Sequence, residues 1–399
     1  MSNTKKIEQD LVRRVMVKLV SKHDKQQNPI VNTSEKIMAA YRNNSHIGII
    51  PNMNKVFTQF DEEGLIRIDW HPTGAAIHRI RLKDADKVAQ LFGIERHQDM
   101  LHTALTYLDN KLSKNDIYNA WRAEIMTCWK EQKRFIKFSI SQYEQLADSI
   151  LAAKALQVKR ESNDITDEDI RHFSARVLNH SKMASKLIAG IVRCLYVLYP
   201  DMEDGLEDME VLRLFGVDAI KHPIYVSGPI RLYTDNDRFY EIACDFPPAM
   251  GVWAENVADC IHMKTINTIT SIENLASFYR YAIHRQGDEL VIYTAGIPTP
   301  SFKRFYALLC RQFSEAELQH WGDIDVGGFT ILSILEKVAG RNVSALNMDT
   351  DLYQHEQQYS KLNDKEKSRL QSIKLSSKNA LLAMKAAQRG LKFEQESFV

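Results

Sequence analysis

Between residues 261 and 349 the chain alternates between two hydrophobic rhythms, and few folds accept that order. "HMKTINTITSIEN" is β-rich, and "LASFYRYAIHR" has helical spacing. "DELVIYTAG" is extended and "TPSFKRFYALLCRQF" helical; "ELQHWGDID" is extended and "FTILSILEKVAG" helical; "NVSALNMD" closes the series. The β-α-β-α-β-α-β order predicts a parallel sheet with helices packed on it. In such a sheet ligands gather at the carboxyl ends of the strands.

Acids fall at those ends. Glu273 closes the first strand, Asp323 and Asp325 the third, and Asp349 the fourth. Side chains two apart on a strand share a face, so Asp323 and Asp325 can converge on one ion. Two aspartates before a pair of glycines also make an ordinary turn. Several carboxylates at one edge, however, repel each other unless a cation neutralises them. Oxygen donors without cysteine or clustered histidine point to Mg²⁺ or Mn²⁺. Gly296, after the second strand, and Gly327 and Gly328, after the aspartates, leave room for a phosphate backbone. Lys303 and Arg304 are candidate phosphate contacts, with helix-surface solvation as the plainer role. His320 abuts the pair, as a structural residue or as one that orients a ligand.

The 399 residues are 44% hydrophobic and 26% charged, which predicts a soluble chain of two or three domains. No run approaches the roughly 20 apolar residues that span a bilayer, and the N-terminus has no secretory pattern. The five cysteines are widely spaced and form no CxxC pair, so a cytoplasmic location without zinc or disulfides is expected. The net charge is +1, but residues 1–25 carry seven Lys/Arg against three acids, and residues 361–392 nine against two. Two basic ends can track phosphates or be solvated helix faces. No GxxxxGK[ST] occurs, so an ATP-driven motor would have to be a partner.

Upstream, Ile7, Leu11, Val15 and Leu19 predict an amphipathic helix over 7–20, and a second helix is expected over 33–43. "NKVFTQFDEE" then leads into "LIRIDW" and "AIHRIRL", which alternate around "HPTG" like a β-ribbon. Helices followed by a two-stranded wing suggest a winged-helix-like module over 1–95. A helical region is expected over 96–165, with Tyr107, Tyr118, Trp121 and Trp129 packing between helices. A mixed α/β region follows over 166–260, opening on a helix capped near Thr166, and 261–399 holds the parallel-sheet domain and a basic helix. The fold class is thus α/β and α, multidomain.

Glu, then Gly, then Asp-x-Asp, each after its own strand, resembles the Toprim signature. "SIENLASF", "YTAGIPTPSFKRF", "HWGDIDVGGFTIL" and "VSALNMD" resemble, in that order, the C-terminal Toprim domain of the JetD family of bacterial Wadjet anti-plasmid defence systems. "FSARVLNHSKMASKL", "LFGVDAIKHPIYVSGPIRL", "FPPAMGVWAEN" and the terminal "LKFEQESFV" are similar to further blocks of that family. The resemblance implies a homodimeric DNA endonuclease related to type IIB topoisomerase A subunits. Such a protein cuts closed circular plasmid DNA extruded by a condensin-like SMC ATPase complex with kleisin and accessory subunits. It also implies Glu273, Asp323 and Asp325 as catalytic metal ligands, with Glu394 and Glu396 as further candidates, beside Asp349 from its place at a strand end.

Two departures bear on mechanism. The topoisomerase relatives attack with a winged-helix tyrosine, whereas before residue 100 this chain has only Tyr41, within an apolar helix face. Hydrolysis by a metal-activated water is therefore expected. The family's usual arginine in the helix after Asp-x-Asp is here Glu336. The competing readings are a topoisomerase-like strand-breaking subunit and a non-catalytic DNA-binding adaptor.

Overall fold

Leu11, Val15 and Leu19 do form the buried stripe of a helix, α1 (Asn3–Asp24). The computed structural model describes residues 3–42, 49–202, 205–234, 239–242, 249–262, 265–352 and 360–395. The chain divides into two compact units, Met1–Ala147 and Asp148–Val399.

In the first unit α1 is followed by β1 (Ile30–Asn32), α2 (Ala39–Arg42), α3 (Ile49–Glu62), β2 (Ile66–Trp70) and β3 (Ile77–Leu82). The strands form an antiparallel sheet in the order β1-β3-β2. Alternation on β2 buries Ile66 and Ile68, which join Ile80, Met53 and Phe57 in a core with α1. The helix expected over 33–43 is shorter: Lys36–Met38 is a 3₁₀ turn, and only α2 is α-helical. Tyr41 is buried in this core. Its hydroxyl donates to Asn54 Oδ1 at 2.6 Å and accepts from the Ile77 amide at 2.8 Å.

Helices α4 (Ala85–Phe92), α5 (His97–Leu112) and α6 (Asp116–Lys130) follow, and α7 (Tyr143–Glu161) runs across the unit boundary. The aromatics of this stretch pack as expected. Trp129 and Tyr118 are buried, Tyr107 meets Tyr143 edge-on at 5.1 Å, and Trp121 lies 5.7 Å from Phe135.

The second unit continues with β4 (Glu168–Asp169), α8 (Ile170–Leu178), α9 (Met183–Leu198), α10 (Asp208–Arg213) and β5 (Val217–Asp218). Asp169, not Thr166, caps α8: its carboxylate accepts from the amides of Arg171 at 3.0 Å and His172 at 2.9 Å. Thr166 instead donates to Asp164 in the preceding turn. Next come β6 (Ile224–Ser227), β7 (Ile230–Tyr233), β8 (Phe239–Ile242), β9 (Met250–Val252) and β10 (Asp259–His262), of which β10-β7-β8 make a small antiparallel sheet.

The alternating region gives β11 (Thr268–Ile272), α11 (Leu275–His284), β12 (Glu289–Tyr293), α12 (Pro300–Gln312), β13 (Glu317–Trp321), α13 (Val326–Ala339) and β14 (Ser344–Ala345). These four strands are parallel, in the order β14-β13-β11-β12. The sheet is nevertheless mixed, because β6 and β9 extend it antiparallel beyond β12. Leu290, Val291 and Ile292 are all buried, as a strand covered on both faces requires. After β11 the chain steps to β12 on one side, then crosses to β13 on the other, so the switch point lies between β11 and β13. Two helices, α14 (Asp364–Ser372) and α15 (Ser377–Arg389), complete the unit. Among the described residues no helix is long and apolar enough to cross a membrane, and Cys128, Cys194, Cys260 and Cys310 are free thiols.

Candidate carboxylate site

Ile272 pairs with Trp321 across the switch point, so the residues following each emerge side by side. Glu273 leaves β11 with its amide bonded to the Trp321 carbonyl at 3.0 Å. Its Oε2 accepts from the Asp323 amide at 3.1 Å. Asp323 Oδ1 accepts from the Gln395 amide at 2.7 Å, and Asp325 Oδ1 caps α13 by accepting from the Gly328 amide at 2.9 Å. Each carboxylate thus spends one oxygen on a main-chain amide, which fixes its orientation.

Charge and burial work against ionisation here. Burial, the Asp323 charge and the Asp325 charge raise the Glu273 carboxyl well above the usual range. Burial likewise pushes Asp323 up to about 7, with Asp325 and Glu394 adding to it against the Gln395 amide. Glu394 is exposed and shares a hydrogen bond with Asp323. A fifth acid, Glu210, arrives from α10. Glu210 is raised first by burial, with Glu207 and Asp325 adding to it.

Asp349 is not gathered into this set. Burial opposes its ionisation, yet the Asp351 amide and the Lys385 ammonium, 2.6 Å away, hold it below its ordinary value. Glu396 lies outside the described residues. Among those residues no three Asp, Glu, His or Cys side chains are grouped closely enough to hold a metal ion as they stand.

The glycines divide by role. Gly296 has φ +84° with open space where a Cβ would stand, after Ala295 at φ +58°. Gly328 is packed inward: a Cβ would lie 2.0 Å from the Asp323 carbonyl oxygen. At Gly327 the nearest atom to a Cβ would be Asp325 Oδ1 at 3.2 Å. Gly322, which the motif reading passed over, has the tightest relation to the acids. A Cβ there would meet His320 Nε2 at 2.7 Å and Glu273 Oε2 at 3.0 Å.

His320 is fully buried, and burial lowers its imidazole to about 3, so it stays neutral. Ser271 Oγ donates to the Gln319 carbonyl at 3.1 Å and lies 2.9 Å from His320 Nδ1. Nε2 has no partner among the described residues. The basic candidates sit elsewhere. Arg304 donates to the Ala254 carbonyl at 3.2 Å. Lys303 lines a cavity of about 470 Å³ with Lys159, Arg160 and Lys337, and none of the site acids lines it.

Sequence reasoning did not single out Gln395 as a brace. It is buried at 1% exposure, its Oε1 accepts from the Asn274 amide at 2.6 Å, and its Nε2 donates to the Trp321 carbonyl. Phe393 pairs with Ile324 as an isolated bridge, so the terminal segment clamps the Asp-x-Asp turn.

Fold and site together define an α/β domain that gathers carboxylates at the switch point of a mixed sheet with a parallel core. Residues 230–398 match the family model described as Wadjet protein JetD, C-terminal. A curated relative, the Wadjet protein JetD of Bacillus cereus (strain Q1), is 24% identical over 186 residues, 46% of this chain. The match spans only 44% of that relative's length.

Proposed function

We propose that the chain is a divalent-metal-dependent DNA endonuclease of a Wadjet-type system, with a Toprim nuclease domain and a winged-helix arm. The observation that carries this reading is that Glu273, Asp323 and Asp325 lie beside one another at the β11/β13 edge, where burial and neighbouring charge oppose the ionisation of Glu273 and Asp323. Oxygen donors of this kind suit Mg²⁺ or Mn²⁺, and binding such an ion would relieve the repulsion. When bound, a hard cation supplies Lewis-acid stabilisation of charge on a phosphodiester. The protein's own part is orientation. The amides of Asp323, Gln395 and Gly328 hold the three carboxylates, and Gly322 keeps the space beside Glu273 open.

The order helix, strand, helix, helix and two-stranded ribbon supports the winged-helix assignment. A covalent tyrosine mechanism is disfavoured, because the Tyr41 hydroxyl is committed within the core. Plasmid DNA would be the substrate, an SMC-type ATPase complex the partner, and a homodimer the working form. The test is plasmid linearisation by the full chain, alone and with its complex, in Mg²⁺ or Mn²⁺. Cleavage that Asp325→Asn abolishes supports the proposal; unchanged cleavage by that variant contradicts it.

A further inference from the structure

The carboxylate site repels phosphate, so a nucleic acid approaching it needs cations close by. The described chain supplies a row of them along one flank of α13. Arg369 of α14 and Val326, the first residue of α13, both border Gly205. Further along, Ser333 donates to the Lys374 carbonyl at 2.6 Å, and Glu336 accepts from the Ser376 amide at 2.9 Å. Thus α14 and the turn into α15 run beside α13 from Val326 to Glu336, about 15 Å at helical rise. The turn carries Lys374, α15 carries Lys378 in its first turn, α14 carries Lys365 near its start, and all three side chains are exposed.

Acids do not cancel this row. Glu366 is paired with Lys392, and Glu336 is committed to Ser376 and Asn379. Asp364 lies 3.6 Å from Lys367. One strand of a duplex advances about 3.4 Å per phosphate along its axis, so 15 Å of track meets about four phosphates. The row begins at Val326, the residue after Asp325, and the terminal segment that follows α15 is bonded to Asp323 through Gln395. The cations are therefore held in register with the acids.

We propose that the outer edge of α14, the α14–α15 turn and the first turn of α15 form the track on which duplex DNA lies as it enters the carboxylate site. This deepens the nuclease reading and rests on it for the choice of ligand. The test is binding of a short fluorescent DNA duplex by the full chain, in chelator, as a function of salt. The triple variant Lys365→Ala, Lys374→Ala and Lys378→Ala should reduce the slope of log affinity against log salt by about 2.7, at about 0.9 per contact. The corresponding triple arginine variant should restore it. An unchanged slope in the alanine variant, or a full chain that does not hold the duplex, overturns the track. Because no cleavage is measured, failure of the nuclease reading appears separately, as a wild-type chain that binds DNA with the expected slope but never cuts it.

Discussion

The amide of Asp323 donates to Glu273 Oε2 at 3.1 Å, so the first acid is oriented by the backbone of the second. Two strands far apart in sequence meet through this bond. Anything that displaces the turn 322–325 therefore displaces both carboxylates together.

Gln395 is the brace most exposed to test. Its side chain satisfies the Asn274 amide and the Trp321 carbonyl, both beside the acids. Gln395→Ala orphans those groups and should cost about 2 to 3 kcal/mol of unfolding free energy by denaturant titration. Gln395→Glu should cost more, because a carboxylate oxygen would replace the donor facing Trp321 and add charge to an acidic site. If the glutamate variant were the more stable of the two, the brace would be misassigned.

Gly322 and Gly328 should respond differently to the same substitution. At Gly328 a Cβ would lie 2.0 Å from the Asp323 carbonyl oxygen, a backbone clash at the start of a helix. Gly328→Ala should lose ~3 kcal/mol of stability. At Gly322 a Cβ would press on His320 Nε2 at 2.7 Å and Glu273 Oε2 at 3.0 Å, with the Gly328 Cα at 3.2 Å, so part of the cost falls on Glu273 placement. Gly322→Ala should melt below wild type but above Gly328→Ala, and lose divalent-ion binding. Equal melting of the two variants would contradict this division.

The raised carboxyls set a pH dependence with a definite sign. Asp323 titrates near 7 in the folded chain against an ordinary 3.8. Between those values the folded state keeps a proton that the unfolded state has lost, so stability falls as pH rises. The contribution is fully present below about pH 4 and lost through about pH 7, on the order of 3 to 4 kcal/mol. Glu273 shifts in the same direction. In chelator, wild-type melting temperature should fall across this window more steeply than that of Asp323→Asn. Parallel profiles would show that Asp323 is not held protonated by its surroundings.

Glu336 stands where the JetD-like pattern has arginine, and its surroundings account for it. Its carboxylate accepts from the Ser376 amide and the Asn379 side chain, both at 2.9 Å, and so caps α15 from a neighbouring helix. Ser376 makes no cap bond of its own. Glu336→Arg should destabilise the chain by about 1 to 2 kcal/mol, the usual cost of losing a cap. A neutral result in thermal melts would remove the capping role.

These residues also mark what could be read without coordinates. The helical and extended runs from Thr268 to Ala339 are each long enough for periodicity to speak, and the elements follow them closely. That β6 and β9 extend this sheet antiparallel was not legible: runs of four and three residues carry no pattern that says which sheet they join. Asp169 displaced Thr166 as cap because a carboxylate reaching two amides competes better than a hydroxyl drawn into its own turn. Glu273, Asp323 and Asp325 could be nominated because strand ends are predictable in an alternating sheet. Glu210 and Gln395 could not, since only tertiary packing carries a short helix and a terminal segment to that edge. Asp349 does not end a strand, because β14 stops at Ala345, and Lys385 on α15 holds it.

Calorimetric titration of the full chain with Mn²⁺ tests the central claim most directly, since it needs neither DNA nor partner. Wild type should bind the ion near pH 8 and release protons as it does so, with binding lost in Glu273→Gln and in Asp325→Asn. Undiminished Mn²⁺ binding by both variants would contradict a carboxylate metal site at the β11/β13 edge.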